Sequence, residues 1–373
     1  MPSLAIDSRM IHSSGIGVYL KHMIPFLTQH FEVTVLGKEE ELSGLLKDFP
    51  IAFIPVNSPI YSLKEQLELF SKVPPSDVFW SPQYNIPLLP VRARKRVVTI
   101  HDTYHLAYKH TLSVAQKAYA TVLLNSAVRL SDRVFTVSEF SKKEIIKYTK
   151  CPQDKIKVIY NGVDENLFNA SFSENEVKTL RSTLPSLPEN YILYVGNVKP
   201  HKNLITLLKA YAGLSPSIRD TIHLVIVGKK EGFLTPEVEV FRFLESQPHL
   251  QSCIHFTGFV PDGLLPLLYK CASLSVFPSV YEGFGLPPLE AMASGCPVIA
   301  SNAASIPEVC AEAALYFDAL DVEGLKSKME YVLLNKDIRA DLSKKGLKHS
   351  SKFSWLQSAE KHRLVLEQLL SST

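Results

Sequence analysis

Short apolar, β-branched runs alternate with amphipathic helical patterns along nearly the whole chain, stop once, and then resume. In the first half, runs at 4–7, 31–36, 51–56, 77–80, 96–101, 133–137 and 157–160 are candidate strands. Several are apolar almost throughout, as strands covered by helices on both faces are. Helical patterns at 18–30, 113–130 and 141–150 lie between them, the last opened by an expected capping box of Ser141 and Glu144. Alternation of this kind argues for a parallel, doubly wound sheet.

The pattern breaks after the turn signal Asn161-Gly162, and 169–190 is polar and lacks strong periodicity, which marks a domain boundary. A second series follows, with strands at 191–195, 222–227, 253–256, 274–277 and 297–300 and helices at 203–214, 263–271 and 287–294. On 203–214, Leu204, Leu207, Leu208, Tyr211 and Leu214 share one face. A chain of 373 residues exceeds what one core usually holds. Two doubly wound domains are therefore expected, at 1–168 and 169–353. The tail 354–373 reads as one more helix, capped by Ser354 and Gln357, which could dock on either domain.

Composition excludes several classes. An apolar fraction of 46% and a charged fraction of 21% rule out a disordered or fibrous chain. A net charge of +3 is too small for bulk nucleic-acid binding. No apolar run reaches the length of a membrane helix, and Asp7 and Arg9 interrupt the apolar core that a signal peptide needs. The five cysteines are spread out with no CxxC pair, so neither a disulfide scaffold nor a zinc site is expected. The expectation is a cytoplasmic chain.

Open parallel sheets bind ligands at the C-terminal ends of their strands, and four strand-end loops carry candidate chemistry. The strongest runs from Ser279 to Gly295. After the strand ending at Phe277, Glu282, Gly283, Phe284 and Gly285 form a loop. Leu286, Pro287 and Pro288 then open a helix that Gly295 closes. Backbone N–H groups at such a helix start suit a phosphate. Glu282 and Glu290 flank it, and beside a phosphate their carboxylates would accept from sugar or ribose hydroxyls. Taken singly, Glu282 also reads as a solvated loop acid and Glu290 as a partner of the helix dipole.

The second loop, Gly196-Asn197-Val-Lys199-Pro-His201-Lys202-Asn203, follows a buried strand. Asn203 is an expected N-cap, and Lys202 is placed to meet the same diphosphate. In the third, Ser13-Ser-Gly15-Ile-Gly17, the dinucleotide fingerprint lacks its third glycine, and no acid closes the second strand, so a nicotinamide cofactor is disfavoured. The fourth is His101-Asp102 at the end of its strand, a candidate substrate contact. Ser305 with Glu308 reads as a capping box. The basic run Arg92-Ala-Arg-Lys-Arg96 reads as a solvated loop, or else as a contact for an anionic membrane surface. HExxH, a strand-end DxD and a His cluster are all absent from the sequence, so no metal site is expected.

Glu282-Gly-Phe-Gly-Leu-Pro-Pro-Leu-Glu290 closely resembles the E-x7-E motif of the retaining GT-B glycosyltransferases of family 4. The resemblance extends to Gly15-Ile-Gly17, His101-Asp102, Val137-Ser-Glu-Phe-Ser141, Tyr160-Asn-Gly-Val-Asp164, Gly196 through Asn203, and Phe353-Ser-Trp355. It implies an α/β GT-B architecture of two Rossmann-like domains facing an interdomain cleft, with the first on the acceptor side and the final helix crossing back to it. It further implies that Glu282 holds donor-sugar hydroxyls, that Glu290 holds the ribose, and that His101 touches the transferred sugar. Gly283, Phe284, Gly285 and Leu286 with Lys202 would bind the diphosphate, approached by Gly15, Gly17, Gly196 and Asn197. The family transfers sugars with retention and requires no metal or resident cofactor.

Many members carry Arg where this chain has Asn197, so Lys199 or Lys229 is the candidate second cation. The implied function is hexose transfer, with mannose first, from GDP-mannose or a UDP-sugar to a glycan or lipid-linked glycan in surface polysaccharide synthesis. Contact would be peripheral, at the inner membrane face. The alternatives are a nucleotide-sugar epimerase of the same fold and a non-catalytic sugar-nucleotide-binding subunit.

Overall fold

A computed structural model describes residues 1–109, 112–169, 172–229 and 238–372. The chain divides into two compact units, Met1–Gly162 with Trp355–Thr373, and Val163–Ser354. The boundary falls between Gly162 and Val163 rather than after 168.

The first unit holds a seven-stranded sheet. Its strands are β1 (Ser3–Asp7), β2 (Glu32–Gly37), β3 (Ala52–Pro55), β4 (Ser76–Ser81), β5 (Ala93–Thr99), β6 (Arg133–Thr136) and β7 (Ile156–Val158), in the order β3-β2-β1-β4-β5-β6-β7. All pairings are parallel, with Ile6 opposite Val35 on one side and Trp80 on the other. The order reverses at β1 and β4, where crossovers leave in opposite directions and strand-end loops part to form a crevice.

The second unit repeats the plan with β8 (Tyr191–Val195), β9 (His223–Val227), β10 (Ile254–Gly258), β11 (Leu274–Phe277), β12 (Val298–Ser301) and β13 (Leu315–Phe317), in the order β10-β9-β8-β11-β12-β13. Here the reversal falls between β8 and β11, which pair in parallel through Ile192 and Leu274. The amphipathic face expected on 203–214 is buried. Leu204, Leu207, Leu208 and Tyr211 of the helix Leu204–Ala212 pack on Ile192, Leu224 and Val276 of the sheet. Each such side chain contributes about 1.5–3 kcal/mol of apolar burial.

The last helix, Trp355–Ser371, belongs to the first unit. Trp355 stacks on His22 with ring centroids 4.7 Å apart, and a buried hydrogen-bond chain ties the helix to the sheet. Trp80 Nε1 donates to Thr99 Oγ1 at 2.9 Å, and the Thr99 hydroxyl faces Tyr19 Oη at 3.3 Å. Tyr19 donates to His362 Nε2 at 2.6 Å, and His362 Nδ1–H donates to the Ser358 carbonyl at 2.8 Å. Burial pushes the His362 pKa down to about 4, helped by His101, which matches a neutral ring with its proton on Nδ1.

Several local expectations need correction. The helix expected at 141–150 is Glu139–Thr149, capped by Ser138, whose side chain accepts from Ser141 N. Ser141 is a buried first-turn residue, and its hydroxyl donates to the His101 carbonyl at 3.0 Å. The basic run 92–96 is not a loop, because all of it but Arg92 opens β5, although Arg92 and Arg94 are exposed. Arg94 pairs with Asp77 at 3.0 Å, Lys95 lies 4.0 Å from Asp132, and Arg92 and Arg96 donate to the carbonyls of Val73 and Pro87. The helices Glu39–Asp48, Leu63–Lys72, Val238–Ser246, Val322–Leu334 and Lys336–Ser350, and strand β13, were not anticipated.

Among the described residues no helix is long and apolar enough to cross a membrane, and no group of three or more His, Cys, Asp or Glu is placed to hold a metal ion.

Candidate active site

The reversal between β8 and β11 puts the two strongest motifs side by side, because each follows one of those two strands. Val280 N donates to the His201 carbonyl at 2.9 Å, joining one loop to the other. Asn203 takes a left-handed conformation with φ +54° and is not an N-cap by side chain. Its amide donates to the carbonyls of Pro278 and Ala319 at 2.9 and 2.6 Å, while Oδ1 accepts from Thr206. It braces both loops.

On that brace Lys202 Nζ lies 2.6 Å from Glu282 Oε1 and 5.7 Å from the centre of the Phe277 ring. The two side chains are 19% and 13% exposed, so the pair is partly desolvated yet reachable. Ser305 sits at the N-cap of the helix Ile306–Cys310 but makes no side-chain cap either. Its hydroxyl donates to the carbonyls of Glu282 and Phe284, both at 2.9 Å, and so fixes the backbone of the 282–285 turn.

Gly285, at φ +105°, turns the chain into the helix Leu286–Ala293. A Cβ there would find room, its nearest neighbour being 3.6 Å away. The glycine is therefore required by its backbone angle. Pro287 and Pro288 supply no N–H, so Leu286 and Leu289 provide the donors of the first turn. Gly295, at φ +71°, follows the helix end as expected.

Glu290 is half-buried on this helix and accepts from the Tyr269 hydroxyl at 3.1 Å. Burial raises its pKa to about 7, against the lowering effect of the Tyr269 bond and with a contribution from Asp262. Tyr269 was not singled out in the sequence, since nothing local marks a tyrosine 21 residues away as the partner of an acid.

Asn197 joins two loops. Its Oδ1 accepts from Lys229 N at 3.2 Å, joining the loops that follow β8 and β9. Beside it, a Cβ on Gly228 (φ +138°) would lie 2.3 Å from the Gly196 carbonyl oxygen. Gly228 was overlooked, although Val-Gly closes β9 just as Val195-Gly196 closes β8. Lys229 is exposed and Lys199 half-buried.

Gly15, Gly17 and His101 lie in the first unit. The glycines are not in a loop, because the helix expected at 18–30 begins at Ser14. Gly15 is exposed in its first turn. Gly17 is set by packing, since a Cβ there would come within 2.3 Å of the Ile11 carbonyl oxygen. His101 follows β5 and donates Nε2–H to the Pro82 carbonyl at 3.0 Å, its ring edge-on to Tyr19 at 5.1 Å. Burial lowers its pKa, opposed by the Pro82 bond and Asp102. In the neutral ring Nδ1 is then an acceptor. Asp102 accepts from Tyr104 N at 2.9 Å.

Comparison with known proteins places the whole chain in a family. Residues 13–167 match Glycosyltransferase Family 4 and residues 178–349 match Glycosyl transferases group 1. The chain belongs to this glycosyltransferase family. It is 32% identical over 273 residues to the O-antigen chain mannosyltransferase B of Escherichia coli, covering 72% of this chain and 68% of that one. It is 34% identical over 231 residues to the serotype-specific mannosyltransferase WbdA of Escherichia coli, covering 61% of this chain but spanning only 28% of WbdA. Among solved structures, Anabaena HepE in complex with UDP-glucose superposes with a TM-score of 0.77 at 20% identity, over the whole of both chains. The fold is that of the GT-B glycosyltransferases.

Proposed function

We propose that the protein moves a hexose, with mannose from GDP-mannose as the first candidate and a UDP-sugar as the second, onto a glycan or lipid-linked glycan. We further propose that it does so with retention and without a metal ion or resident cofactor. The Lys202–Glu282 pair, held on the loops after β8 and β11, carries the reading. A nucleoside diphosphate sugar offers each partner a better complement. The diphosphate is the stronger partner for Lys202, and the sugar hydroxyls donate to Glu282.

As the bond between the sugar's C1 and the diphosphate oxygen breaks, negative charge builds on the leaving phosphate. Lys202 and the amide donors around Gly283, Phe284, Gly285 and Leu286 would stabilise it from fixed positions. The acceptor oxygen bonds to C1 on the same face, and its proton passes to the leaving phosphate. Glu282 forms no covalent intermediate. Glu290 would hold the ribose, and Gly196 and Asn197 would line the diphosphate, with Lys199 or Lys229 as second cation. For the first unit the proposed roles are sugar contact for His101 and close approach to the diphosphate for Gly15 and Gly17.

Mannose is favoured by the names of the bacterial mannosyltransferases that this chain resembles. Those names also favour transfer over the epimerase and silent-binder alternatives. A lipid-linked acceptor would bring the protein to the inner membrane face. Within the run 92–96, Arg94 and Lys95 face Asp77 and Asp132, so the exposed Arg92 is the cation left to offer such a surface.

A thermal-shift panel of GDP, UDP, ADP and their sugar conjugates, with and without EDTA, tests the reading. A ligand at about 100 times its dissociation constant adds about 2.7 kcal/mol. A shift with GDP or UDP that survives EDTA is expected. No shift with any nucleotide, or one abolished by EDTA, contradicts it.

A further inference from the structure

In the first unit the strand order reverses at β1 and β4, and the segments following β1, β3, β4 and β5 build a polar and aromatic cluster. At its base Arg9 makes a two-point bond to Asp7 at 2.8 and 2.7 Å and a further bond to Glu65 at 2.8 Å. Glu65 is fully buried and also accepts from Asn85 Nδ2 at 2.8 Å. The network then climbs to the surface, where Tyr119 donates to Asn85 Oδ1 at 3.2 Å.

Tyr119 meets Tyr61 edge to face, with ring centroids 6.0 Å apart, and the rings are 38% and 46% exposed. Tyr84, which acts on Tyr61 from below, has its hydroxyl 3.2 Å from His105 Nδ1. Tyr61 also has φ +68°, a left-handed conformation costly for a bulky side chain and retained mainly where surrounding structure or function requires it.

We propose that Tyr61 and Tyr119 form a platform for the acceptor glycan, with Tyr84 and the Asn85–Glu65 network beneath it. This rests on the glycosyltransferase reading and names the part of the acceptor that the first unit recognises. An aromatic face is apolar with an electron-rich centre, the surface against which the C–H side of a pyranose ring packs. A rigid tyrosine adds a hydroxyl at little entropic cost. The charged groups that act on Tyr61 are the acids Glu65 and Asp102 and the cation Arg9, and Arg9 is itself neutralised by Asp7 and Glu65. An anionic ligand would be repelled, so the glycan recognised is neutral. The cluster is also continuous with the candidate sugar contact, because the Pro82 carbonyl that orients His101 lies two residues before Tyr84.

Saturation-transfer NMR on the full chain tests this with α-mannotriose, cellotriose and tri-N-acetylchitotriose as neutral probes and trigalacturonate as the anionic one. At least one neutral trisaccharide should bind, with saturating GDP or UDP present or absent, and trigalacturonate should not. Tyr119→Ala should weaken that binding at least 10-fold. So should Tyr61→Asn, which tolerates the left-handed backbone while removing the ring. Tyr61→Phe should stay within about 3-fold of wild type. Nucleotide thermal shifts should be unchanged in all three variants, which also shows that they fold. If no neutral trisaccharide binds, if trigalacturonate binds equally well, or if Tyr61→Asn and Tyr119→Ala bind like wild type, the proposal is overturned. Loss of nucleotide binding in the wild-type protein would instead overturn the donor reading alone.

Discussion

Lys202 Nζ stands 2.6 Å from Glu282 Oε1, and each side chain is rooted in a loop leaving one of the two central strands of the second unit. Their sequence separation of 80 residues is closed by the parallel pairing of β8 with β11. The two partners are proposed to separate on donor binding, and their variants should therefore behave differently. Lys202→Ala should weaken GDP or UDP binding by about 10- to 100-fold, roughly 1.4–2.7 kcal/mol. Glu282→Gln should leave free-nucleotide affinity unchanged or tighter, because it releases the lysine, yet lower turnover at least about 100-fold. Calorimetry with the free nucleotide, beside donor turnover, separates the two. Equal losses of nucleotide affinity in both variants would contradict the assigned roles.

Glu290 should make nucleotide affinity depend on pH. Burial holds its pKa near 7, so below that value the carboxyl keeps its proton and accepts poorly from ribose hydroxyls. Affinity should rise as pH increases from about 6 to 8. Tyr269→Phe removes a bond that lowers this pKa and should move the midpoint upward, while Glu290→Gln should bind weakly and flatten the profile. A flat wild-type profile would count against the ribose contact.

His362 gives the first unit a stability that depends on pH in a defined direction. Its folded pKa of about 4 lies below the ordinary histidine value of 6.5. Between those values the unfolded chain takes up a proton that the folded chain refuses. Stability is therefore full above about pH 6.5 and falls as pH drops toward 4, by at most about 3 kcal/mol. Protonation would also remove the acceptor of the Tyr19 hydroxyl. Denaturant unfolding of wild type and His362→Gln from pH 7.5 to 4.5 should show a steeper acid loss in the wild type.

Gly228→Ala should destabilise the protein by at least about 2 kcal/mol, since a Cβ there meets the Gly196 carbonyl oxygen at 2.3 Å. Gly44→Ala, in a helix where nothing lies within 4 Å of an added Cβ, should instead be neutral or stabilising by about 0.5–1 kcal/mol. Thermal unfolding distinguishes them, and similar effects would mean that the 196–229 contact is softer than described.

The two series of strands and the E-x7-E loop were legible because each is a local pattern: apolar runs of strand length, and glycines and prolines at fixed offsets around a helix start. What the sequence hid were polar residues bonded to distant carbonyls. Ser141, Ser305 and Asn203 have the side chains of helix caps, and local rules favour that reading. Their hydrogen-bond partners are instead the carbonyls of His101, of Glu282 and Phe284, and of Pro278 and Ala319. The charged run 92–96 concealed the start of β5 because four of its five residues are cations, and the pairing to β4 supplies what propensity does not. Tyr61 and Tyr119 carry no motif, and only the fold brings them together.

The central claim is metal-independent transfer with retention. The most direct test follows the anomeric protons by NMR while the protein acts on GDP-mannose in EDTA, with α-mannotriose as acceptor. The account predicts loss of the α-configured donor signal and growth of a new α-linked mannosyl signal. A β-linked product, or consumption of the donor only after a divalent cation is restored, would contradict it.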